Sequence, residues 1–160
     1  MGILVLICIT AVLAMADIIL KYGIEQAMTR KEERTAFGGK LIVRKVYNRG
    51  FCMNILDDDP DTVKYVSAYS TVILTIVQLL TLLRKKACPL KKIGLSLMTA
   101  GAWSNTFDRW LRGYVVDYMA VPSENEKVRK LTFNLADLLL AAGGIFVIIA
   151  SLFSRGKKEK

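Results

Sequence analysis

The residues able to do chemistry in this chain crowd into one stretch, Gly101 to Asp137. It holds Ser104-Asn105-Thr106-Phe107-Asp108-Arg109, then Val115-Val116-Asp117-Tyr118, then Phe133-Asn134-Leu135-Ala136-Asp137, and each group lies in or beside an apolar segment. A carboxylate at the centre of a membrane helix costs about 2.5–3.5 kcal/mol on insertion scales, so ionisable groups there are functional candidates by default. The sequence has no histidine, which removes Ser–His and Cys–His nucleophiles and the usual zinc ligand sets. Two carboxylates that converge on a water-accessible, partly apolar site do not both ionise: one pKa rises, and the pair shares a proton near neutral pH. The ionised member then takes a proton from water while the protonated one hydrogen-bonds to a peptide carbonyl. Such a pair hydrolyses a peptide without metal, thiol or cofactor, and Asp117 and Asp137 are the two expected to form it. A small four-span proton-coupled transporter, with Asp17, Asp108 or Asp137 carrying protons, uses the same ingredients.

The elements that must position these groups are apolar and long. At 160 residues, 53% of them hydrophobic, the chain has the size of one domain. Spans are expected at about 3–23, 63–83, 93–113 and 133–153, separated by polar segments at 25–62 and 114–131. The net charge of +9 is concentrated at the ends of apolar runs, with Arg84, Lys85, Lys86, Lys91 and Lys92 in one short connection and Arg155, Lys157, Lys158 and Lys160 in the tail. Basic clusters so placed are topology signals. No aromatic-basic interleaving or recognised fold points to nucleic acid. Cys8, Cys52 and Cys88 have no CxxC spacing and fall in different compartments of this topology, so they are expected to be small apolar fillers rather than partners.

Taken in order, Ala14-Met15-Ala16 resembles a signal-peptidase cleavage site, but no basic region precedes it and the apolar run continues to Gly23. A retained first span is therefore expected. Asp17 and Lys21 stand four apart, share a helix face and can pair, which suits a structural or orienting role. In the first polar segment Gly38-Gly39 reads as a turn, residues 40–47 as a strand, and Asn48-Arg49-Gly50 as a second turn. The acidic run at 57–61 lacks EF-hand spacing and reads as a solvated helix start. Asn105, Asp108, Arg109 and Arg112 follow one face of the third span. Tyr114 to Tyr118 reads as extended, placing Asp117 just outside the helix; residues 122–130 read as a polar loop. Asn134 and Asp137 share a face at the start of the fourth span, where Ala141, Gly143 and Gly144 permit close approach of another helix.

Parity then gathers the polar groups. Asp17 and Asp108 lie near the ends of the first and third spans, and Asp137 about 6 Å inside the start of the fourth. In an up-down arrangement all three reach the same membrane face. The positive-inside rule places both termini in the cytoplasm and the polar site outside.

These motifs together resemble the bacterial lipoprotein signal peptidase family, signal peptidase II, along nearly the whole chain. The family's Asp-x-x-x-Lys is similar to Asp17–Lys21, its Asn-x-Gly to Asn48-Arg49-Gly50, and its Gly-Asn-x-x-Asp-Arg to Ser104–Arg109. Its Val-x-Asp-Phe resembles Val115–Tyr118, and its Phe-Asn-x-Ala-Asp is met in full by Phe133–Asp137. The resemblance implies an all-α membrane protein of four transmembrane helices with a small extracytoplasmic β-cradle and a short interfacial helix in the first loop. It implies residence in the bacterial cytoplasmic (inner) membrane and cleavage of diacylglyceryl-modified prolipoproteins just before the lipidated cysteine. By motif position Asp117 and Asp137 are the catalytic pair. Asn48, Gly50, Asn105, Asp108, Arg109 and Asn134 bind substrate or support the pair, and Asp17 and Lys21 orient the site. No cofactor or metal is implied; the partners are prolipoprotein and membrane lipid, and the chain is expected to act as a monomer. Three positions depart from the pattern: Ser104 replaces a glycine, Ile18 a frequent glutamine, and Phe51-Cys52-Met53 a set of small residues followed by an aromatic. The last departure bears on the loop expected to close over the substrate. A transporter needs neither Asp117 nor a long strand-forming segment, and a non-catalytic relative would not need both carboxylates.

Overall fold

Helix α1 (Ile3–Ala27) opens the chain and runs without a break through Ala14-Met15-Ala16. The computed structural model describes residues 2–51 and 56–155; Cys52 and Met53 of the atypical loop, and the tail residues Lys157, Lys158 and Lys160, lie outside them. After α1 the chain forms strands β1 (Glu33–Ala36) and β2 (Leu41–Asn48). The hairpin between them turns through Phe37, Gly38 and Gly39, whose φ angles of 51°, 66° and 84° fall in the left-handed region that glycine occupies without steric cost. Helix α2 (Pro60–Leu83) starts at a proline whose missing N–H is one of the orphan donors of a first turn, and the Asp59 carboxylate accepts from Thr62 N at 3.1 Å. The acidic run thus ends in a helix cap. Helix α3 (Pro89–Arg112) also begins on a proline, four residues before the expected start, and ends at Gly113 with φ 77°. That left-handed residue lets the chain leave the helix directly into β3 (Val115–Ala120). A five-residue helix, α4 (Glu126–Lys130), and helix α5 (Leu135–Arg155) complete the chain.

The three strands form one antiparallel sheet in the order β1-β2-β3, with Val46 opposite Asp117 and Asn48 opposite Val115. The chain connections put this sheet at the end of the bundle where α1 and α3 finish and α2 and α5 begin. The stretch 122–130, expected to be a polar loop, contains a short helix at Glu126–Lys130. The first polar segment is hairpin and turn among its described residues, and the short interfacial helix expected there is not seen among them. The physical reason is local. The Asn125 side chain accepts from Lys127 N at 3.0 Å, and Lys127, Arg129 and Lys130 complement the helix end, whereas 41–48 is rich in β-branched and aromatic residues.

Three helices, α1, α2 and α5 as far as Phe153, are long and apolar enough to cross a membrane. Their outward faces expose large apolar side chains such as Leu4, Val12, Ile73, Leu80, Ile148 and Leu152. Helix α3 is long enough but too polar to join that set by composition, and it sits at the centre, with α1, α2 and α5 each packed on it. Its Ser96, Thr99, Ser104, Asn105, Thr106 and Asp108 are buried, so the interior is polar and the exterior apolar. Contact between α3 and α5 is backbone to backbone. A Cβ built on Gly94 would lie 2.7 Å from the Gly143 carbonyl oxygen, and one on Gly143 would lie 2.5 Å from that of Gly94. Of the glycines expected to admit a neighbouring helix, Gly143 does so and Gly144 faces open space.

This asymmetry makes a matched pair of substitutions informative. Gly143→Ala drives a methyl into backbone and is expected to destabilise the bundle by roughly 1–3 kcal/mol, read as a lowered Tm in detergent. Gly144→Ala meets nothing and is expected to leave Tm unchanged.

Candidate active site

Asp117 arrives on β3 and Asp137 on the first turn of α5, so two elements far apart in sequence each supply a carboxylate. Strand alternation sends Asp117 to one side of β3 and Val116 and Tyr118 to the other. On the α5 side, Asn134 and Asp137 form a reciprocal cap. The Asn134 Oδ1 accepts from Asp137 N at 2.9 Å, and the Asp137 Oδ2 accepts from Asn134 N at 3.0 Å. This is the capping-box arrangement in amide and carboxylate form, and it fixes the Asp137 rotamer. The other Asp137 oxygen accepts from Asn105 Nδ2 of α3 at 3.0 Å.

Asp117 is held in the same way. Its Oδ1 accepts from Asn134 Nδ2 at 2.6 Å and its Oδ2 from Asn48 Nδ2 at 3.1 Å. Asn134 therefore links the two aspartates: its side-chain nitrogen donates to the Asp117 carboxylate, its side-chain oxygen accepts from the Asp137 N–H, and its own backbone N–H donates to the Asp137 carboxylate. Asp117 is buried. Burial, and next the negative charge of Asp137, push its pKa up to about 7 against the opposing pull of the Asn48 and Asn134 amides. Both carboxylates open onto a cavity of about 660 Å³. Asn48, Asn105 and Arg109 line it too, with Val46, Phe51, Phe133 and Leu140 supplying apolar wall. Arg109 donates from Nη2 to the Gly50 carbonyl oxygen at 2.9 Å, which ties the Asn48–Gly50 turn to α3.

Behind this layer, away from the cavity, lies an ion cluster. Lys21 is fully buried and reaches Asp17 Oδ2 at 2.8 Å and Asp108 Oδ2 at 3.4 Å. It also donates to Asn105 Oδ1 at 2.6 Å and to Ser104 Oγ at 3.2 Å. Asp108 accepts from Arg112 at 2.6 Å and from Val116 N of β3 at 3.3 Å. Of the residues singled out in the sequence, Asn48, Asn105, Arg109, Asp117 and Asp137 line the cavity. Asn134 and Gly50 bind those that do, through one amide and one carbonyl. Asp17, Lys21 and Asp108 lie outside the cavity lining, and Asp108 touches β3 rather than open space.

Two contributors carried little sequence signal. Ser104, which stands in place of the family's glycine, donates to Asp17 Oδ2 at 2.6 Å. The Tyr118 hydroxyl donates to Asp17 Oδ1 at 2.9 Å and accepts from Leu135 N at 3.2 Å. The alternation of β3 aims Tyr118 inward, and that was the available clue; its partners are 101 and 17 residues distant.

A family model described as signal peptidase (SPase) II matches residues 9–153. The chain belongs to the signal peptidase II family. A lipoprotein signal peptidase of Neisseria gonorrhoeae is 26% identical over 153 residues, covering 93% of this chain and 92% of that protein. One from Caldicellulosiruptor bescii is 34% identical over 122 residues, 76% of this chain and 73% of its own length. Among solved structures, a bacterial membrane enzyme determined by the in meso method at 2.3 Å superposes with a TM-score of 0.81 at 26% identity, over 96% of this chain and 91% of that one. A second, at 1.9 Å, gives a TM-score of 0.76 at 26% identity over 92% of each chain.

The ion cluster sets a stability expectation. Lys21→Met leaves Asp17 buried with hydroxyl donors alone, and uncompensated buried charges of this kind cost about 3–5 kcal/mol. Unfolding in detergent is expected to shift accordingly. Lys130→Met, which removes an exposed 4.0 Å pair with Glu126, is expected to change stability by less than about 1 kcal/mol.

Proposed function

We propose that this member of the signal peptidase II family removes signal peptides from lipoprotein precursors by aspartyl chemistry, with Asp117 and Asp137 as the catalytic pair. The observation that carries the reading is the shared environment of the two carboxylates. They come from different elements, each oxygen is held by an N–H donor, and both open onto one cavity.

The chemistry follows from the shared proton. With Asp117 titrating near neutrality, the pair holds one proton between two carboxyl groups, and that proton belongs to the pair rather than to either residue. The ionised member accepts a proton from water as the water oxygen attacks the scissile carbonyl carbon. The protonated member gives its proton to the carbonyl oxygen, so a neutral tetrahedral diol forms. Collapse moves a proton to the leaving nitrogen, breaks the C–N bond and restores the singly protonated pair. Asn48, Asn105 and Asn134 hold the carboxylates in register. Arg109, anchored on Gly50 and lining the cavity, supports the substrate backbone.

In the membrane, α3 acts as a fourth span whose polar face is covered by α1, α2 and α5. The basic connection between α2 and α3 faces the cytoplasm with both termini, and the three-stranded sheet forms an extracytoplasmic cradle over the cavity. The substrate is the diacylglyceryl-modified precursor, cut before its lipidated cysteine, and the apolar wall of the cavity suits a chain that approaches from lipid. The enzyme works as a monomer surrounded by membrane lipid. A proton-coupled transporter is the weaker reading: Asp17 and Asp108, two of its carriers, have no exposed side-chain surface and are ion-paired.

Cleavage of a diacylglyceryl-modified prolipoprotein by purified protein, read as a mass shift, tests the assignment. Asp117→Asn and Asp137→Asn are each expected to lower the rate by roughly 10²–10⁴-fold while folding normally. Wild-type cleavage rates in either variant would remove that residue from the pair. The pH profile gives a second test. Because Asp117 retains its proton up to about pH 7, kcat/KM is expected to fall as pH rises through that value and the pair loses its shared proton. The Asn48 amide opposes the upward shift, so Asn48→Ala raises the Asp117 pKa further and is expected to move the alkaline limb to higher pH.

A further inference from the structure

We propose that the Tyr118 hydroxyl is a positioning group for the reaction: it fixes the first turn of α5, and with it Asp137, against the strand that carries Asp117. The inference rests on the aspartyl reading above and adds a residue to it.

The two carboxylates occupy different elements, so their separation depends on what fastens β3 to the start of α5. Besides the Asn134 amide on Asp117, two fastenings are present. The first is backbone. Tyr118 N and Met119 N both donate to the Phe133 carbonyl oxygen, at 3.0 and 2.8 Å, and Phe133 N donates back to Met119 O at 2.8 Å. This sets the entry to the helix but stops two residues short of it. The second is the Tyr118 side chain. It leaves β3 on the face opposite Asp117, is 5% exposed, and its oxygen accepts the N–H of Leu135, the first residue of α5, at 3.2 Å. The same hydroxyl donates to Asp17 Oδ1 at 2.9 Å. Asp17 is itself immobilised on its other oxygen by Lys21 at 2.8 Å and Ser104 at 2.6 Å.

One oxygen atom therefore joins three elements: the strand of Asp117, the helix of Asp137 and the buried ion cluster on α1. The first N–H groups of a helix have no partner within it. Here the N–H of Leu135 goes to Tyr118 and that of Asp137 goes to Asn134, so the turn is pinned from outside by one residue of β3 and from within by its own cap. Tyr118 is not among the residues that line the cavity, and its hydroxyl bonds neither carboxylate of the pair, which makes it a positioning residue rather than a catalytic one.

The test is Tyr118→Phe, which keeps the buried ring and removes the oxygen alone, beside Leu135→Pro. Proline lacks the N–H that Tyr118 accepts and is tolerated at the first helical position. Each single variant is expected to lower kcat on a diacylglyceryl-modified prolipoprotein by roughly 10- to 100-fold, as misplacement of reacting groups by about 1 Å does, with KM within about twofold of wild type because no substrate contact is lost. The double variant is expected to be no worse than the worse single, the mark of one shared bond. Hydrogen exchange at the amides of 134–137 is expected to speed up in Tyr118→Phe. Wild-type kcat per folded molecule in Tyr118→Phe, a lowered Tm without a change in that kcat, additive losses in the double variant, or unchanged exchange at 134–137 would each overturn the assignment. Should Tyr118→Phe fail to fold, Leu135→Pro decides through the same kcat and KM reading. A wild-type protein that does not cut overturns the aspartyl reading instead, and the exchange measurement still decides whether Tyr118 holds the turn.

Discussion

Lys21 is a cation with no exposed side-chain surface, and the polar interior is arranged around it. A buried ammonium is tolerable only when opposite charge and hydrogen-bond acceptors surround it. Asp17 comes from the same helix face and Asp108 from α3, while Ser104 and Asn105 offer oxygens from the turn above. The requirement to satisfy one charge thus fixes α1 against α3. It also reaches the cavity, because the Asn105 amide that accepts from Lys21 through Oδ1 donates to Asp137 through Nδ2. An amide whose two ends are both engaged cannot flip without breaking a bond at each, so the orientation of Asp137 is inherited from the ion cluster beneath it.

The same logic explains the polarity of the bundle. In lipid the apolar exterior contributes little to helix association, and interiors rely on small residues and interhelical hydrogen bonds. Helix α3 supplies both. Gly94 and Gly101 admit α5 to backbone contact, while Gln78 of α2 donates to Thr10 of α1 at 2.9 Å and to Ser96 of α3 at 3.0 Å. Thr71 and Thr106, 2.8 Å apart, add a second link between α2 and α3. The Gln78 contacts tie α1, α2 and α3 together along the bundle, and the Thr71–Thr106 pair lies at the cavity itself. They hold the scaffold in register while the ion cluster holds its functional end.

Much of this was legible in the sequence because it is periodic or local. The spacing of Asp17 and Lys21 implies a shared face, the glycines at 38 and 39 imply a turn, and the strand at 40–47 is one residue from the observed β2. Asn134 and Asp137 at a separation of three are a helix cap in the making. What carries no local signature depends on partners distant in sequence. Arg44 lies on β2 and donates to Thr132 at 2.8 Å and to the Arg129 carbonyl oxygen at 2.8 Å, gripping the segment that forms one cavity wall. No local pattern announces that pairing. Residues 126–130 read as part of a polar loop for a related reason: α4 is specified by one asparagine cap and a few charges, a weak local signal. Ser104 and Tyr118 read as ordinary small and aromatic residues until Asp17 is brought beside them.

A dyad built from a strand and a helix differs from one built on a single element. Were both aspartates on α5, helix geometry would set their distance and little else would matter. Here the distance is a property of the junction between β3 and α5, and every bond at that junction contributes to it. The Asp108 carboxylate accepts from Val116 N, the residue before Asp117, so the ion cluster also grips β3 on the side of α3. Asn134 bonds Asp117 and caps the turn bearing Asp137. Burial and mutual repulsion drive two carboxylates apart unless a proton is shared or the scaffold resists. The scaffold resists at three points, through Asn134 between them, Asn105 below Asp137 and Asp108 behind β3. Under the aspartyl mechanism proposed above, the proton is then the freer variable, and a site whose geometry is fixed while its proton is mobile is what general acid–base chemistry requires.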